Sequence, residues 1–342
     1  MKLAIVSDLH IGIKKSSDVH LKIAHDFFHR KLFPYLKEND IRTIMVLGDV
    51  FDTRETINVK AMNFVYDLFS MPFNFIILTG NHDLYHNNNA AITSLKILSR
   101  FNNVELVNLA RDYKIGDSSF FIVPWVQDME EFKKSLELSQ ASICFGHFDI
   151  DGFSYTGNTI SEKSINPKIF SKFDKVFSGH FHTRCSKIIN NTEIVYVGCP
   201  YELTRADAGN AKGFHVYDTE TNNYEFIENK LSPRHIQVKY PTILDEATLQ
   251  NNFIDVFVDE ADLKDDDKIK EYLKIYNSEK YLQAPTVKII KTEDYLTEDL
   301  KIDDESKSII ELITEYVKLQ ENIDNKKDLT KLLNIVYEES SR

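Results

Sequence analysis

Three apolar runs in the first quarter of the chain each stop in a knot of polar residues: KLAIVSDLH from residue 2, IRTIMVLGDVFD from 41 and FNFIILTGNHD from 73. The segments between them have helical periodicity. Residues 19–38 place Leu21, Ala24, Phe28, Leu32 and Leu36 on one face, and residues 57–70 do the same with Ala61, Phe64, Val65, Leu68 and Phe69. The order is strand, helix, strand, helix, strand. Right-handed crossovers make such strands parallel and bring their C-terminal ends to one rim. Later strand-like runs, SSFFIVPW, ASICFGHF, DKVFSGHFH, EIVYVGCP, GFHVYD and YEFIEN, lack regular helices between them. They predict a second sheet packed on the first, in a layered α/β sandwich.

The 342 residues, 42% hydrophobic, suffice for one large core and a smaller unit. A boundary is expected near Pro233 or Pro241. Beyond it HIQVKYPTIL, an acidic helix around 263–276 and PTVKIIKT read as a small strand-helix-strand unit. Two amphipathic helices follow residue 300, one carrying Ile309, Leu312, Ile313, Tyr316 and Leu319, the other Leu329, Leu332, Leu333 and Val336. The net charge of −12 is unevenly spread, with −1 in residues 1–240 and −11 in 241–342, which leaves the larger part free to meet phosphates. The first apolar run is too short for a signal peptide and no stretch approaches a membrane span, so an intracellular (cytoplasmic) protein is expected. Cys144, Cys185 and Cys199 have no CxxC spacing and are expected to be buried thiols.

Five polar clusters follow apolar runs: Asp8 with His10, Gly48-Asp49-x-x-Asp52, Gly80-Asn81-His82-Asp83, Gly146-His147, and Gly179-His180-Phe181-His182. On a strand, Asp8 and His10 share a face and can grip one object together. The donors are imidazole nitrogen with carboxylate and amide oxygen, a mixture suited to manganese or iron rather than to structural zinc, which favours thiolate. There are more donors than one ion needs. Two ions are expected, about 3.5–4 Å apart and sharing a carboxylate, with Asp49 the expected bridge.

The order DxH, GDxxD, GNHD, GH, GHxH resembles the calcineurin-like metallophosphoesterases over roughly residues 1–185. The segment VYVGCPYELTRADAGNAKGFHVYD, residues 195–218, further resembles the SbcD-type DNA nucleases, with Cys199 where serine is usual, and the whole layout is similar to phage recombination endonuclease subunits of that group. The resemblance implies a four-layer α-β-β-α sandwich over residues 1–235, a small α+β DNA-capping domain over 236–300 and an ATPase-binding helical segment over 301–342. It implies one ion held by Asp8, His10, Asp49 and His182, and a second held by Asp49, Asn81, His147 and His180. Manganese is the expected ion, with magnesium or iron as alternatives. His82 would face the scissile phosphate, Asp83 would orient its ring, and Asp52 would have a weaker acid-base part.

The activity implied is metal-dependent exo- and endonucleolytic cleavage of DNA, in recombination, repair or replication. One alternative is a phosphomonoesterase such as a protein phosphatase, whose pattern GDxxDRG...GNHE differs from GDVFDTRE and GNHD here by a shifted Arg54 and a missing glycine. The other is a non-catalytic scaffold, which would be expected to have lost ligands. No basic stripe is visible, but Lys14, Lys15, Arg54, Arg184 and Arg205 lie in or beside loops after strands and could reach DNA phosphates. The resemblance also implies an SbcC-like SMC-family ATPase bound through the C-terminal helices, in a heterotetramer. A homodimer would form through the helices at 19–38 and 57–70, with Phe27, Phe28, Phe64, Tyr66 and Phe69 as its candidate patch or as core.

Overall fold

Alternation along β1 (Lys2–Val6) divides the molecule into layers: Leu3 and Ile5 belong to one apolar core, Ala4 and Val6 to another. The computed structural model describes residues 1–86, 89–156, 159–161, 164–259, 268, 269, 271, 272, 274 and 286–290. The first sheet runs in the spatial order β16 (Asn223–Glu228), β15 (Gly213–Asp218), β1, β2 (Thr43–Val46), β3 (Asn74–Leu78) and β6 (Val104–Val107). Its members β1, β2, β3 and β6 are parallel, and β15 and β16 add antiparallel pairings at one side. The second sheet runs β13 (Cys185–Ile189), β14 (Thr192–Tyr196), β12 (Lys175–Gly179), β9 (Ile143–His147), β8 (Ser118–Val123) and β7 (Arg111–Ile115). In it β8, β9, β12 and β14 are parallel. Short strand pairs, β4 (Leu84–His86) with β5 (Asn89–Thr93) and β10 (Ser154–Thr156) with β11 (Thr159–Ile160), decorate the loops.

Leu3, Ile5, Met45, Leu47 and Ile76 pack with Phe120, Phe145 and Phe177 of the second sheet to form the inter-sheet core. The opposite face of the first sheet is covered by helices, through Ala4, Val6, Ile44 and Val46 against Phe27, Phe28, Val65 and Phe69. The outer face of the second sheet is covered by the helix Met129–Leu138, through Phe132 against Phe121, Cys144 and Val176. The four-layer α-β-β-α sandwich is therefore present. The helix over 19–38 is one continuous run with a π-helical turn, Phe27–Leu32, between Asp18–Asp26 and Phe33–Glu38. Pro34 explains the wide turn: it has no N–H for the carbonyl four residues back, and its ring needs room there. The second helix, Val59–Phe69, starts at Asn58, whose side chain accepts from the Lys60 N–H.

Phe27, Phe28 and Phe69 are not a docking patch. They are fully buried in the chain's own core, because the same periodicity that marks an interface also marks a core-facing stripe. Phe64 packs partly against that core, while Tyr66 is exposed and lies beside Phe101. Of the cysteines, Cys144 and Cys199 are buried and Cys185 is half-buried.

A small parallel sheet, β17 (His235–Lys239), β18 (Phe253–Asp259) and β19 (Thr286–Ile290), begins at His235. Val238, Leu249, Ile254, Val256 and Val258 give it a core of its own. The sequence reading overlooks its central strand β18 and the short helix Glu246–Asn251, because Asp255 and Asp259 interrupt the apolar run. Of the acidic helix around 263–276, only Lys268, Ile269, Glu271, Tyr272 and Lys274 are described, and these are helical. The described residues all fall within one compact unit, 1–292. The two C-terminal helices expected beyond residue 300 lie outside the described residues. Among the described residues no helix is long and apolar enough to cross a membrane. Truncating Phe28 to alanine should cost about 3–5 kcal/mol of unfolding free energy, whereas Tyr66→Ala should change it by less than about 0.5 kcal/mol, both read from denaturant titrations.

Candidate metal centre

The C-terminal ends of β1, β2 and β3 meet those of β9 and β12 at one rim. Asp8 and His10 follow β1, Asp49 follows β2, Asn81 follows β3, His147 ends β9, and His180 and His182 follow β12. Turning side chains inward there requires unusual backbone. Asp8, His10, Asp49 and His180 have φ of 53°, 43°, 52° and 90°, and Gly48 has 102°. Such conformations cost non-glycine residues about 1–3 kcal/mol each and concentrate at functional sites. Gly80 meets a different demand: a Cβ there would lie 2.1 Å from Asp49 Oδ1.

Two groups of donors result. Asp8, His10 and His182 form one and Asp49, His147 and His180 the other, with donor atoms inside each group within 4.8 Å of one another. Asn81 joins the second, its Oδ1 lying 2.9 Å from His147 Nε2 and 3.0 Å from His180 Nδ1. Asp49 stands between the groups: its Oδ2 is 3.7 Å from His10 Nε2 and 3.4 Å from His147 Nε2. His10 and His182 bring their Nε2 atoms to 3.1 Å.

These contacts test whether a cation fits. His147 Nδ1–H donates to the Leu47 carbonyl at 2.6 Å, which turns the Nε2 lone pair toward the oxygens of Asn81 and Asp49. Lone pairs facing lone pairs in a buried place need a positive charge among them. Without a metal, a proton must serve. Burial pushes the His147 pKa down, but the Asp49 carboxylate outweighs it and raises it to about 9. His10 is likewise raised to about 9, with burial overcome by its contact with Asp52 and by the charges of Asp49 and Asp8. The donor set fits divalent cations that take nitrogen and oxygen ligands.

The expected pairing of Asp83 with the His82 ring is not there. Asp83 is fully buried and accepts from the backbone N–H groups of Val50, Phe51 and Gly80, so it ties the Asp49 loop to the Asn81 turn. Burial and the Asp49 charge push its pKa up to about 7 against those three donors. The His82 ring is held instead by the Asp52 carbonyl, 2.7 Å from Nδ1, and its backbone N–H donates to Asp49 Oδ1. The Asp52 carboxylate faces His10 Nδ1 at 3.3 Å, so Asp52 touches two of the histidines, one through its side chain and one through its backbone.

Lys14 and Lys15 are exposed and Arg54 is half-buried. Arg184 and Arg205 each meet a neighbour within the chain. The Arg184 guanidinium lies over the Phe226 ring at 4.2 Å, and Arg205 pairs with Asp255 of β18 at 2.7 Å. Three residues here escape the sequence reading. Trp125 packs against His180 with ring centroids 4.9 Å apart, and Asp207 with Lys212 lies behind His182. Asp207 and Lys212 fall within the 195–218 segment that carries the resemblance, so that segment was the available signal.

Gly80→Ala should displace Asp49 and weaken divalent-metal uptake by at least about tenfold, read by titration calorimetry. Because ions replace protons on His10 and His147, manganese uptake at pH 7 should release protons. Apparent affinity should rise as pH climbs toward 9 and fall as it drops, as calorimetry in buffers of different ionisation enthalpy would report.

Exonuclease subunit 1 of Enterobacteria phage T4 is 28% identical over 356 residues, covering all of both chains. Putative phosphoesterase 078R of Invertebrate iridescent virus 3 is 28% identical over 265 residues, 71% of each chain. The SbcD subunit of the SbcCD nuclease of Staphylococcus epidermidis is 23% identical over 253 residues, 65% of this chain and 67% of that one. Residues 1–184, the part that supplies every donor described above, match the calcineurin-like phosphoesterase family, and the chain belongs to that family of metal-dependent phosphoesterases.

Proposed function

We propose that the chain is a DNA nuclease that hydrolyses phosphodiester bonds with two divalent ions, and that it is the catalytic subunit of a complex with an SMC-like ATPase. The observation that carries this reading is Asp49 standing between two donor groups at a common rim. Asp8, His10, Asp49 and His182 would hold one ion and Asp49, Asn81, His147 and His180 the other, with manganese suited to these donors. When bound, such ions activate water and neutralise the phosphate in an in-line displacement.

His82 stays outside both donor sets. Its Nδ1–H rests on the Asp52 carbonyl, which can accept from the ring in either protonation state and leaves Nε2 to meet the substrate. Burial lowers its pKa, which favours the neutral ring. Lys14, in the short helical turn Ile13–Ser16 after β1, and Arg54, on the loop after β2, would contact the DNA backbone. Support for DNA over a phosphomonoester comes from the end-to-end likeness to an exonuclease subunit and from the likeness to a nuclease subunit. Both relatives are named as subunits, which supports a partner for this chain, with the segment beyond residue 300 as its docking element.

The test is cleavage of end-labelled linear duplex and single-stranded DNA with manganese, beside p-nitrophenyl phosphate as the monoester. Degraded DNA with little monoester turnover is expected, and turnover of the monoester alone would overturn the nuclease reading. Asp49→Asn should lose metal and cleavage together. His82→Ala should keep two ions while kcat falls about 10²–10⁴-fold, and loss of metal would show its role to be wrongly assigned. Removing residues 300–342 should abolish co-purification with the ATPase yet spare manganese-dependent cleavage of single-stranded DNA.

A further inference from the structure

We propose that Asp207, locked by Lys212, is a positioning residue that fixes the orientation and tautomer of His182 for the ion shared with Asp8 and His10; this inference rests on the two-ion reading above. Asp207 is 1% exposed and Lys212 4%, so both charges are out of water. Asp207 Oδ1 lies 3.5 Å from His182 Nδ1 and takes a hydrogen bond from Lys212 Nζ at 3.1 Å. Its Oδ2 accepts from the N–H groups of Leu203 and Thr204 at 3.1 and 2.9 Å. Lys212 Nζ also donates to the His182 carbonyl at 2.8 Å. The pair thus grips His182 at its ring and at its backbone.

The chemistry follows from which nitrogen is engaged. A carboxylate at Nδ1 keeps the proton there, and Nε2, which faces His10 Nε2 at 3.1 Å, presents its lone pair to the centre. His182, Cys199 and Asp207 are themselves close enough to surround an ion. The Lys212 ammonium already supplies positive charge beside Asp207, and Cys199 Sγ lies 3.5 Å from the same Oδ1, so this group serves as the support of a metal site rather than as a further site. A buried ion pair is rarely worth its desolvation for stability alone, and apolar residues of similar size do as well or better. Here Lys212 and one oxygen of Asp207 reach His182, while the other oxygen of Asp207 is held by its own turn at Leu203 and Thr204.

Single truncation of Asp207 would strand a buried ammonium, so the test uses Asp207→Ala combined with Lys212→Met. Free manganese is followed by electron paramagnetic resonance during titration, with circular dichroism and a thermal melt to show that the variant is folded. The wild type should bind two ions, and the double variant should bind one as before and the other about 10–100-fold more weakly. Asp207→Asn with Lys212→Met retains an acceptor oxygen for His182 and should restore the weakened site to within a few-fold. Unchanged affinity at both sites, equal weakening of both, or no recovery with asparagine would overturn the role of Asp207 while leaving the nuclease reading intact. A wild type that takes up fewer than two ions would overturn the two-ion centre itself, and the role of Asp207 with it.

Discussion

Acidic groups removed from water at a shared rim are the constraint on which the structure turns. Asp8, Asp49, Asp83 and Asp207 are each at most 1% exposed, and three of them stand within reach of imidazoles that must stay neutral to act as ligands. Burial of this kind is costly unless positive charge or N–H donors answer each carboxylate. The chain answers one by one. The His180 N–H donates to Asp8, the His82 N–H to Asp49, three backbone donors serve Asp83, and Lys212 serves Asp207. Asp49 keeps its Oδ2 beside His10 Nε2 and His147 Nε2, between the two donor groups.

Each donor group draws on both sheets. The first takes Asp8 and His10 from the first sheet and His182 from the second, and the other takes Asp49 from the first with His147 and His180 from the second. The spacing inside each group is therefore set by the sheet-to-sheet core of Leu3, Ile5, Met45, Phe145 and Phe177. A core packed to the density of a crystal holds such distances more firmly than loops could. The Arg205–Asp255 pair extends the same rigidity outward, because Arg205 shares a short turn with Asp207 and its partner lies on the central strand of the small sheet.

Much of this was legible in the linear chain. The apolar runs ending in SDLH, GDVFD and GNHD gave the parallel strands and their common rim, since a polar knot after a buried strand has few other uses. Asp83 departs from the sequence expectation for a physical reason: adjacency to His82 suggests contact, yet the tight turn gives the Asp83 carboxylate to backbone N–H groups and the His82 ring to the Asp52 carbonyl. Phe27 and Phe28 were ambiguous because periodicity reports a face and not what covers it. For Asp207 and Lys212 the 195–218 segment marks the region but not their role, because their contact with His182 joins residues far apart in the chain.

Trp125 is the chain's one tryptophan, and its indole sits 4.9 Å from His180, a ring of the second donor group. All indole emission from the protein therefore originates beside the centre. Paramagnetic manganese quenches a fluorophore at such range and diamagnetic magnesium does not, so the molecule carries an optical gauge of which ion it holds.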